Sequence, residues 1–194
     1  MASNTNQRGC CARCCSGLVS LGFLVLVYWL IFQPHQIRAY VDTATLSNFS
    51  LSNTTSAPSL TYNLNLTLSL RNPNRRIGIY FDRLSAAAFY DGSQLGPTES
   101  DFDPSFQKAK TTKVVYPAFA GKENNLGGGV GDTFSKEQKE GAYNVLVKLR
   151  SKLRYKLWFV KVHFKPKIDC WLRFPLMANG NVSVAAFTKC HVDY

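Results

Sequence analysis

Apolar and polar residues alternate without interruption along residues 60–70. Leucine and tyrosine occupy every even position, and threonine, asparagine and serine occupy the odd positions between them. A period of two over this length predicts a half-buried β-strand, with one face on a core and the other in water. Residues 71–74 (RNPN) then predict a turn that ends the strand.

Shorter apolar runs predict further strands at residues 77–81, 84–90 and 112–119. Asp91-Gly92 predicts a turn after the second of these strands. Residues 132–141 predict a short helix, with Asp132 as its N-cap and Gly141 as its end. Several short strands with one helix indicate a mainly β fold, an antiparallel β-sandwich of the immunoglobulin or fibronectin type.

The longest alternating segment, residues 144–158, places positive charge on one face. Its inward positions are apolar apart from Ser151, and its outward positions form a cationic ridge of Lys148, Arg150, Lys152, Arg154 and Lys156. At about 3.4 Å per residue the ridge is about 27 Å long. One interpretation is a solvated strand face whose lysines discourage edge pairing. Because neighbouring like charges repel one another, the other interpretation is a binding surface for an anionic partner.

Residues 167–176 and 182–191 flank a turn sequence, Asn179-Gly180-Asn181, and predict a β-hairpin. A register centred on Gly180 opposes three pairs of residues: Cys170 and Cys190, Phe174 and Ala186, and Leu176 and Val184. Directly opposed cysteines can lie close enough for a disulfide. In an oxidising compartment we expect that disulfide, with two reduced, half-buried thiols as the alternative.

An uncharged apolar run covers residues 18–32, and residues 16–33 approach the roughly 20 residues that span a bilayer. The run predicts a transmembrane signal anchor, with a cleaved signal peptide and a buried core helix as alternatives. Arg8 and Arg13 precede it without an acidic residue, which favours a cytoplasmic N-terminus. The predicted organisation is a cytoplasmic Cys-rich tail (1–15), the anchor (16–33), a juxtamembrane linker with the first strand (34–58) and the sandwich domain (59–194).

Four N-glycosylation sequons lie beyond the apolar run, at Asn48, Asn53, Asn65 and Asn181. Their position is consistent with a domain outside the cytoplasm, because glycans are attached in the secretory lumen. Asn65 lies on the polar face of its predicted strand, where a glycan could be attached. We therefore predict these asparagines as glycan acceptors.

Four cysteines precede the apolar run, at Cys10, Cys11, Cys14 and Cys15. Adjacent cysteines suit a tetrahedral zinc site poorly, and the sequence offers no partner cluster. Juxtamembrane cysteines on the cytoplasmic side are typical S-palmitoylation sites. The pattern favours acylation, with zinc binding and unmodified thiols as alternatives.

The basic charge of the chain indicates anionic partners. Its 23 basic and 12 acidic residues give a formal net charge of +11, so we expect an anionic partner. Acidic polysaccharide, anionic lipid and nucleic acid all fit this charge, but a domain outside the cytoplasm argues against nucleic acid. The sequence has no nucleophile elbow, zinc-protease motif or phosphate-binding loop. We predict no enzyme, no catalytic or metal-binding residue and no cofactor.

Residues 72–82 (NPNRRIGIYFD) resemble the signature of the plant NHL family, the non-race-specific-disease-resistance and harpin-induced-like proteins. The family-motif positions are Asn72, Pro73, Asn74, Gly78, Tyr80 and Asp82. Residues 29–34, 106–107 with 111–112, 164–170 and 188–194 also match. Residues 107–110 (QKAK) depart from the more common QGHK.

The resemblance implies a late-embryogenesis-abundant type-2 β-sandwich at the plasma membrane, with a role in defence and abiotic stress. Members of the family have no known catalytic residues, so the resemblance implies none in this chain. The expected function is an adhesion or signalling module outside the cytoplasm, in contact with acidic cell-wall polysaccharide, anionic lipid or a protein receptor. A lipid-handling sandwich that holds an acyl chain between its sheets is the alternative.

Overall fold

The computed structural model describes residues 5–31, 34–54, 57–124, 126–157, 160–176 and 182–194. The chain divides into two units, Met1–His35 and Gln36–Tyr194. The first seven strands are β1 (Arg38–Thr54), β2 (Ala57–Arg71), β3 (Gly78–Tyr90), β4 (Ser93–Phe102), β5 (Ser105–Gln107), β6 (Thr112–Val115) and β7 (Ala118–Glu123). After helix α2 (Val130–Glu140) follow β8 (Ala142–Leu157), β9 (Val160–Phe164), β10 (Lys167–Pro175), β11 (Val182–Ala185), β12 (Thr188–Lys189) and β13 (His191–Asp193).

The first unit contains a single helix, α1 (Thr5–Ile31). It includes the cysteines of the predicted tail and most of the apolar run, so tail and run are continuous. Apolar side chains such as Leu18, Phe23 and Leu30 are exposed on it. Within the described ranges, no helix reaches the length and hydropathy required to cross a membrane. The anchor therefore stays a prediction.

The second unit consists of two antiparallel sheets, which confirms the mainly β fold. The first sheet has the strand order β11-β1-β2-β6, with β12 also on β1 and β7 also on β2. The second has the order β13-β10-β8-β3-β4, with β5 also on β3 and β9 also on β8. Alternate side chains of β2 and β8 are buried, Leu64 and Leu68 from the first sheet and Val147 and Leu153 from the second. Burial of these apolar faces stabilises the fold.

Several predicted strand limits were wrong because backbone irregularities do not follow the alternation. The two predicted strands at 77–81 and 84–90 are one strand, β3, which begins at Gly78 and has a bulge between Phe81 and Arg83. Residues 112–119 instead form β6 and β7, separated at Tyr116 and Pro117. A bulge shifts the alternation by one residue without ending the strand, whereas proline cannot donate to a ladder.

The predicted C-terminal hairpin was also wrong in its partners. The register centred on Gly180 holds only for β10 and β13, where Lys167 pairs with Asp193. Between them the chain crosses to the first sheet, so Ala185 pairs with Ala44 of β1. Phe174 accordingly opposes Tyr143 of β8 and not Ala186. Alternation indicates which face of a strand is buried, but it does not identify the neighbouring strand.

Helix α2 is fixed to the second sheet by a buried carboxylate. Gly129 is its N-cap, Asp132 lies in its first turn without capping it, and Gly141 ends it with a left-handed φ of 76°. The predicted end is therefore confirmed, whereas the predicted Asp132 cap was wrong. Glu137 accepts hydrogen bonds from the Tyr90 hydroxyl (2.8 Å), the Asn144 side-chain amide (2.7 Å) and the Asn144 backbone N–H (3.2 Å). Burial and the bond to Glu137 together raise the pKa of Tyr90.

Replacing Glu137 by alanine is expected to lower the free energy of unfolding by about 2–3 kcal/mol, because the buried Tyr90 hydroxyl and Asn144 amide lose their acceptor. Urea unfolding of the full chain in detergent micelles measures this loss. Glu140→Ala is the matched control, since its ion pair with Lys136 is exposed and should contribute less than about 0.5 kcal/mol. Equal losses in the two variants would contradict the expectation.

The C-terminal residue is bound to the start of the second unit. The Ile37 backbone N–H donates to the Tyr194 hydroxyl at 2.8 Å, and that hydroxyl lies 2.7 Å from the Tyr155 hydroxyl. Phe164 packs edge-on against both tyrosine rings. Burial raises the pKa of Tyr155 and of Tyr194. Both ends of this unit are therefore anchored in the same small cluster.

Candidate anion-binding face of the second sheet

Strand β8 lies in the middle of the second sheet and carries the cationic ridge on its outer face. Its alternate residues Val145, Val147, Leu149, Ser151, Leu153 and Tyr155 are buried, as the sequence predicted. The five cations between them are exposed or half-buried. The ridge therefore lies on a central strand, and protection of a sheet edge does not explain it.

Two of the five cations are held by neighbouring strands. Arg154 donates from Nε to Asp82 Oδ1 at 2.8 Å, its Nη2 lies 2.5 Å from the same oxygen, and its guanidinium lies 5.5 Å from the Tyr80 ring centroid. Lys148 Nζ lies 4.8 Å from the Phe89 ring centroid. Asp169 occupies the position opposite Lys148 on β10. The ridge is thus interrupted, and it does not present five equivalent charges.

The remaining ridge residues face other cations. Arg150 pairs with Lys167 of β10, Lys152 with Arg83 of β3, and Lys156 with Lys161 of β9. Like charges placed directly opposite each other destabilise a sheet. Arg83 has an acidic neighbour, Asp101, at 3.7 Å, but both side chains are more than half exposed, and such surface pairs are weak.

A cleft opens on this face where β8 changes partner. β8 pairs with β10 as far as Arg150 and with β9 from Leu153 onwards. In the interval the Ser151 backbone N–H donates to the Pro166 carbonyl at 3.3 Å. The cleft has a volume of about 410 Å³ and is lined by Arg83, Ser85, Arg150, Ser151, Lys152, Lys165, Pro166 and Lys167. We call it the basic cleft.

The basic cleft includes residues that the sequence reasoning did not select. Arg83 lies in β3 after the bulge, Lys165 lies in the link between β9 and β10, and Lys167 is the first residue of β10. The buried Ser85, Ser151 and Pro166 lie beneath these charged side chains. The polar Ser151 within an apolar face was the available sequence signal, because it marks the place where β8 changes partner.

The first half of the family motif is a buried hydrogen-bond network. The Asn72 side-chain amide donates to the carbonyls of Ile77 (2.9 Å) and Lys108 (3.2 Å). Its Oδ1 accepts from the backbone N–H (3.0 Å) and the side-chain amide (2.9 Å) of Asn74. Lys110 donates its backbone N–H to the Asn74 carbonyl. Because Lys108 and Lys110 contribute backbone atoms, the network tolerates the departure at residues 107–110.

The second half of the motif packs against β5 and β8. A Cβ on Gly78 would lie 2.5 Å from the Phe106 ring, so only glycine fits without movement. The Tyr80 and Phe106 ring centroids are 4.4 Å apart, and Asp82 holds Arg154. Pro73, half-buried, lies between the two asparagines. The motif is therefore structural, and it orients one residue of the cationic ridge.

Cys170 and Cys190 form a disulfide, with an S–S distance of 1.97 Å and a Cα–Cα distance of 4.4 Å. Cys170 lies in β10 of the second sheet, and Cys190 lies between β12 and β13, where the chain passes from the first sheet to the second. The Cys190 backbone N–H donates to the Ala39 carbonyl of β1 at 3.0 Å. The bond therefore links the two sheets.

The predicted modification sites lie apart from the basic cleft. Asn65 and Asn48 are exposed on the first sheet, and Asn48 has a left-handed φ of 53° at a bulge of β1. Asn53 lies near the end of β1, and Asn181 lies outside the described residues. Asn65 also lines a second, smaller cleft of about 220 Å³ beside the exposed ring of Tyr116. Glycosylation at these sites stays a prediction.

The tail cysteines Cys10, Cys11, Cys14 and Cys15 all lie within α1, and Cys15 is exposed. In the part of the chain that the structure describes, no group of three or more His, Cys, Asp or Glu side chains could hold a metal ion. Acylation of the tail stays a prediction.

Comparison with known proteins identifies close relatives. A family profile described as late embryogenesis abundant protein matches residues 67–170. The chain is 37% identical to NDR1/HIN1-like protein 10 of Arabidopsis thaliana, over 91% of this chain and 79% of that protein. It is also 37% identical to NDR1/HIN1-like protein 3, over 91% and 76%, and 33% identical to NDR1/HIN1-like protein 2, over 87% and 70%.

Proposed function

This chain belongs to the NDR1/HIN1-like family and carries its late embryogenesis abundant domain, and we propose that it is a non-enzymatic, membrane-anchored binding protein of plant defence and stress responses. Its β-sandwich lies outside the cytoplasm at the plasma membrane, as an adhesion or signalling module. The partner is anionic, and acidic cell-wall polysaccharide, anionic lipid and an acidic protein receptor are the candidate classes.

One observation carries the binding function: opposed cations surround the basic cleft. Arg150 faces Lys167, and Lys152 faces Arg83, at two successive outward positions of a central strand. Like charges at opposed positions of neighbouring strands repel one another. An anionic partner reduces the repulsion between these cations and is itself attracted by their positive potential. The arrangement is therefore suited to binding an anion.

The topology rests on the apolar run at residues 16–33, the arginines before it and the sequons after it. Protease treatment of sealed microsomes that contain the full chain tests it. We expect protection of the sandwich domain, and a mobility shift on endoglycosidase treatment that Asn65→Gln reduces. Complete digestion without detergent would reject a domain outside the cytoplasm.

Binding to de-esterified pectin, a polyanion of the plant cell wall, tests the function. We expect Arg150→Glu with Lys152→Glu to reduce retention at least about 10-fold, because two attractive charges become repulsive. Lys122→Glu with Lys139→Glu makes the same change of net charge at exposed residues of β7 and α2 and should retain binding. If both pairs lose binding equally, net charge alone is responsible, and a site on the second sheet is rejected.

The lipid-handling alternative requires an apolar cavity between the sheets. The two clefts described above lie on the outer faces of the sheets, and the larger is lined mainly by charged and polar residues. Neither cleft therefore supports the alternative.

A further inference from the structure

We infer that the smaller cleft, on the outer face of the first sheet, holds the first N-acetylglucosamine of a glycan attached to Asn65, and that the ring of Tyr116 packs against this sugar. The inference rests on one part of the proposed function, the position of the domain outside the cytoplasm, because glycans are attached in the secretory lumen. It is independent of the anionic partner. Three features carry it: the sequon, the position of the ring and the size of the cleft.

The complete sequon lies in the smaller cleft, since Asn65, Leu66 and Thr67 all line it. Asn65 is exposed and Leu66 is buried, so the acceptor side chain points to solvent. The Asn65 side-chain amide donates to Asn63 Oδ1 at 3.2 Å. An asparagine amide carries two hydrogens, so a sugar can replace one of them while the other keeps this bond and fixes the direction of the glycan.

Tyr116 is placed diagonally across the ladder from Asn65. Asn65 pairs with Ala118 of β7, and Tyr116 lies two residues before Ala118 on the same face, because Pro117 between them is buried. The Leu66 backbone N–H donates to the Pro117 carbonyl at 3.0 Å, which holds this segment against β2. Diagonal neighbours are about 7–8 Å apart, within reach of an aromatic side chain, and both residues line the cleft.

The two sides of the acceptor offer different contacts to a sugar. On one side the Tyr116 ring is 70% exposed, and the C–H groups of a pyranose ring can pack on its negative face. Ala118 is small and leaves space beside this ring. On the other side the Thr45 hydroxyl donates to the Asn65 carbonyl at 3.5 Å and keeps its lone pairs as acceptors for the sugar.

The size of the cleft favours an attached sugar over a separate saccharide. Its volume of about 220 Å³ lies below the roughly 300–1,000 Å³ of sites that enclose a free ligand. A free saccharide also loses translational freedom when it binds. A sugar joined to Asn65 is already at a high effective concentration beside the ring, so packing against one ring is enough to hold it.

The attachment itself needs a lipid-linked oligosaccharide diphosphate as donor. Asn65 Nδ2 forms a bond to C1 of the first N-acetylglucosamine and releases one proton. The bond from C1 to the diphosphate oxygen breaks, and the lipid diphosphate leaves with the electron pair. No oxidant or reductant takes part. The sugar then lies over the cleft when the strands pair.

A double-mutant cycle on the full chain tests the packing. The chain is produced in cells that attach high-mannose glycans and is unfolded by heat in detergent micelles, and mass spectrometry of its glycopeptides measures the occupancy of each sequon. We expect Tyr116→Ala to lower the unfolding temperature of the glycosylated chain by about 2–4 °C, because the stacking is lost. In Asn65→Gln the same substitution should lower it by less than about 1 °C.

Ser50→Ala is the matched control, since it removes the Asn48 sequon from the same sheet and lines neither of the two clefts. In this variant Tyr116→Ala should keep its full effect. Endoglycosidase H leaves the first N-acetylglucosamine in place, so it should also preserve the effect of Tyr116→Ala. An equal effect of Tyr116→Ala with and without the Asn65 glycan would overturn the inference.

The outcomes separate this inference from the proposed function. If Asn65 carries no glycan while another sequon does, the inference is wrong and the topology stands. If no sequon carries a glycan, the inference is wrong and protease protection decides the topology. Binding of free chitotriose to Asn65→Gln that Tyr116→Ala abolishes would assign the cleft to a separate saccharide, which also overturns the inference. Retention on pectin tests the anionic partner independently.

Discussion

Replacement of Asn72 by alanine is expected to lower the free energy of unfolding by about 3–5 kcal/mol, because one buried side chain makes four hydrogen bonds, three of them fully buried. Its loss removes a donor from the buried Ile77 carbonyl, one of two donors from the Lys108 carbonyl, and the acceptor shared by the backbone N–H and the side-chain amide of Asn74. The loops at residues 72–77 and 108–111 then separate. Urea unfolding of the full chain in detergent micelles measures the loss.

Two further variants define this result. Asn72→Asp keeps an acceptor oxygen for Asn74 but places a buried carboxylate against the Ile77 and Lys108 carbonyls, so we expect a loss at least as large as that of Asn72→Ala. Asn124→Ala changes an exposed loop residue and should alter stability by less than about 0.5 kcal/mol. If Asn72→Ala costs no more than Asn124→Ala, the family motif does not hold these loops together.

Removal of the disulfide by Cys170→Ser with Cys190→Ser is expected to cost about 3 kcal/mol, since the bond closes a loop with a sequence separation of 20. The crossing of the chain from the first sheet to the second would then depend on single hydrogen bonds such as that of Cys190 to Ala39. Thermal unfolding with and without reductant measures the effect.

We expect reductant to lower the unfolding temperature of the natural sequence and to leave the double variant unchanged. Cys15→Ser, at an exposed position of α1, should behave as the natural sequence does. A reductant effect of the same size in the double variant would show that another thiol is responsible.

Elements with a regular period were accessible from the sequence. Strands β2 and β8 were predicted within a few residues, because alternate residues of a strand must point to opposite faces. The end of α2 was accessible because Gly141 needs a left-handed φ that glycine adopts without strain. In these cases a local pattern determines a local structure.

Partners and irregularities were not accessible, since they depend on distant residues. The hairpin prediction failed because residues 182–189 pair with β1, about 140 positions earlier in the chain. The joining of two predicted strands into β3 depends on a bulge opposite β8. A bulge is a property of two paired strands, so the sequence of one strand alone does not predict it.

The candidate site was predicted in part for the same reason. Alternation located the cationic ridge, but the neutralisation of Arg154 depends on Asp82, which lies 72 residues away. The other cations of the basic cleft, Arg83, Lys165 and Lys167, come from two other parts of the second sheet. The strand register that brings these cations together is determined by packing of the buried side chains. It cannot be predicted from the surface residues alone.

The position of the disulfide also decides how the domain would bear mechanical tension. A pull between the residues before Ile37 and Lys167 of the basic cleft enters the second unit at β1. The hydrogen bond from the Cys190 backbone N–H to the Ala39 carbonyl transmits this load to Cys190. The disulfide then transmits the load to Cys170, which lies three residues from Lys167 on β10. This route is short and partly covalent, and it bypasses α2 and β4. A load that follows this route therefore reaches the second sheet through a covalent bond, without passing through α2 or β4.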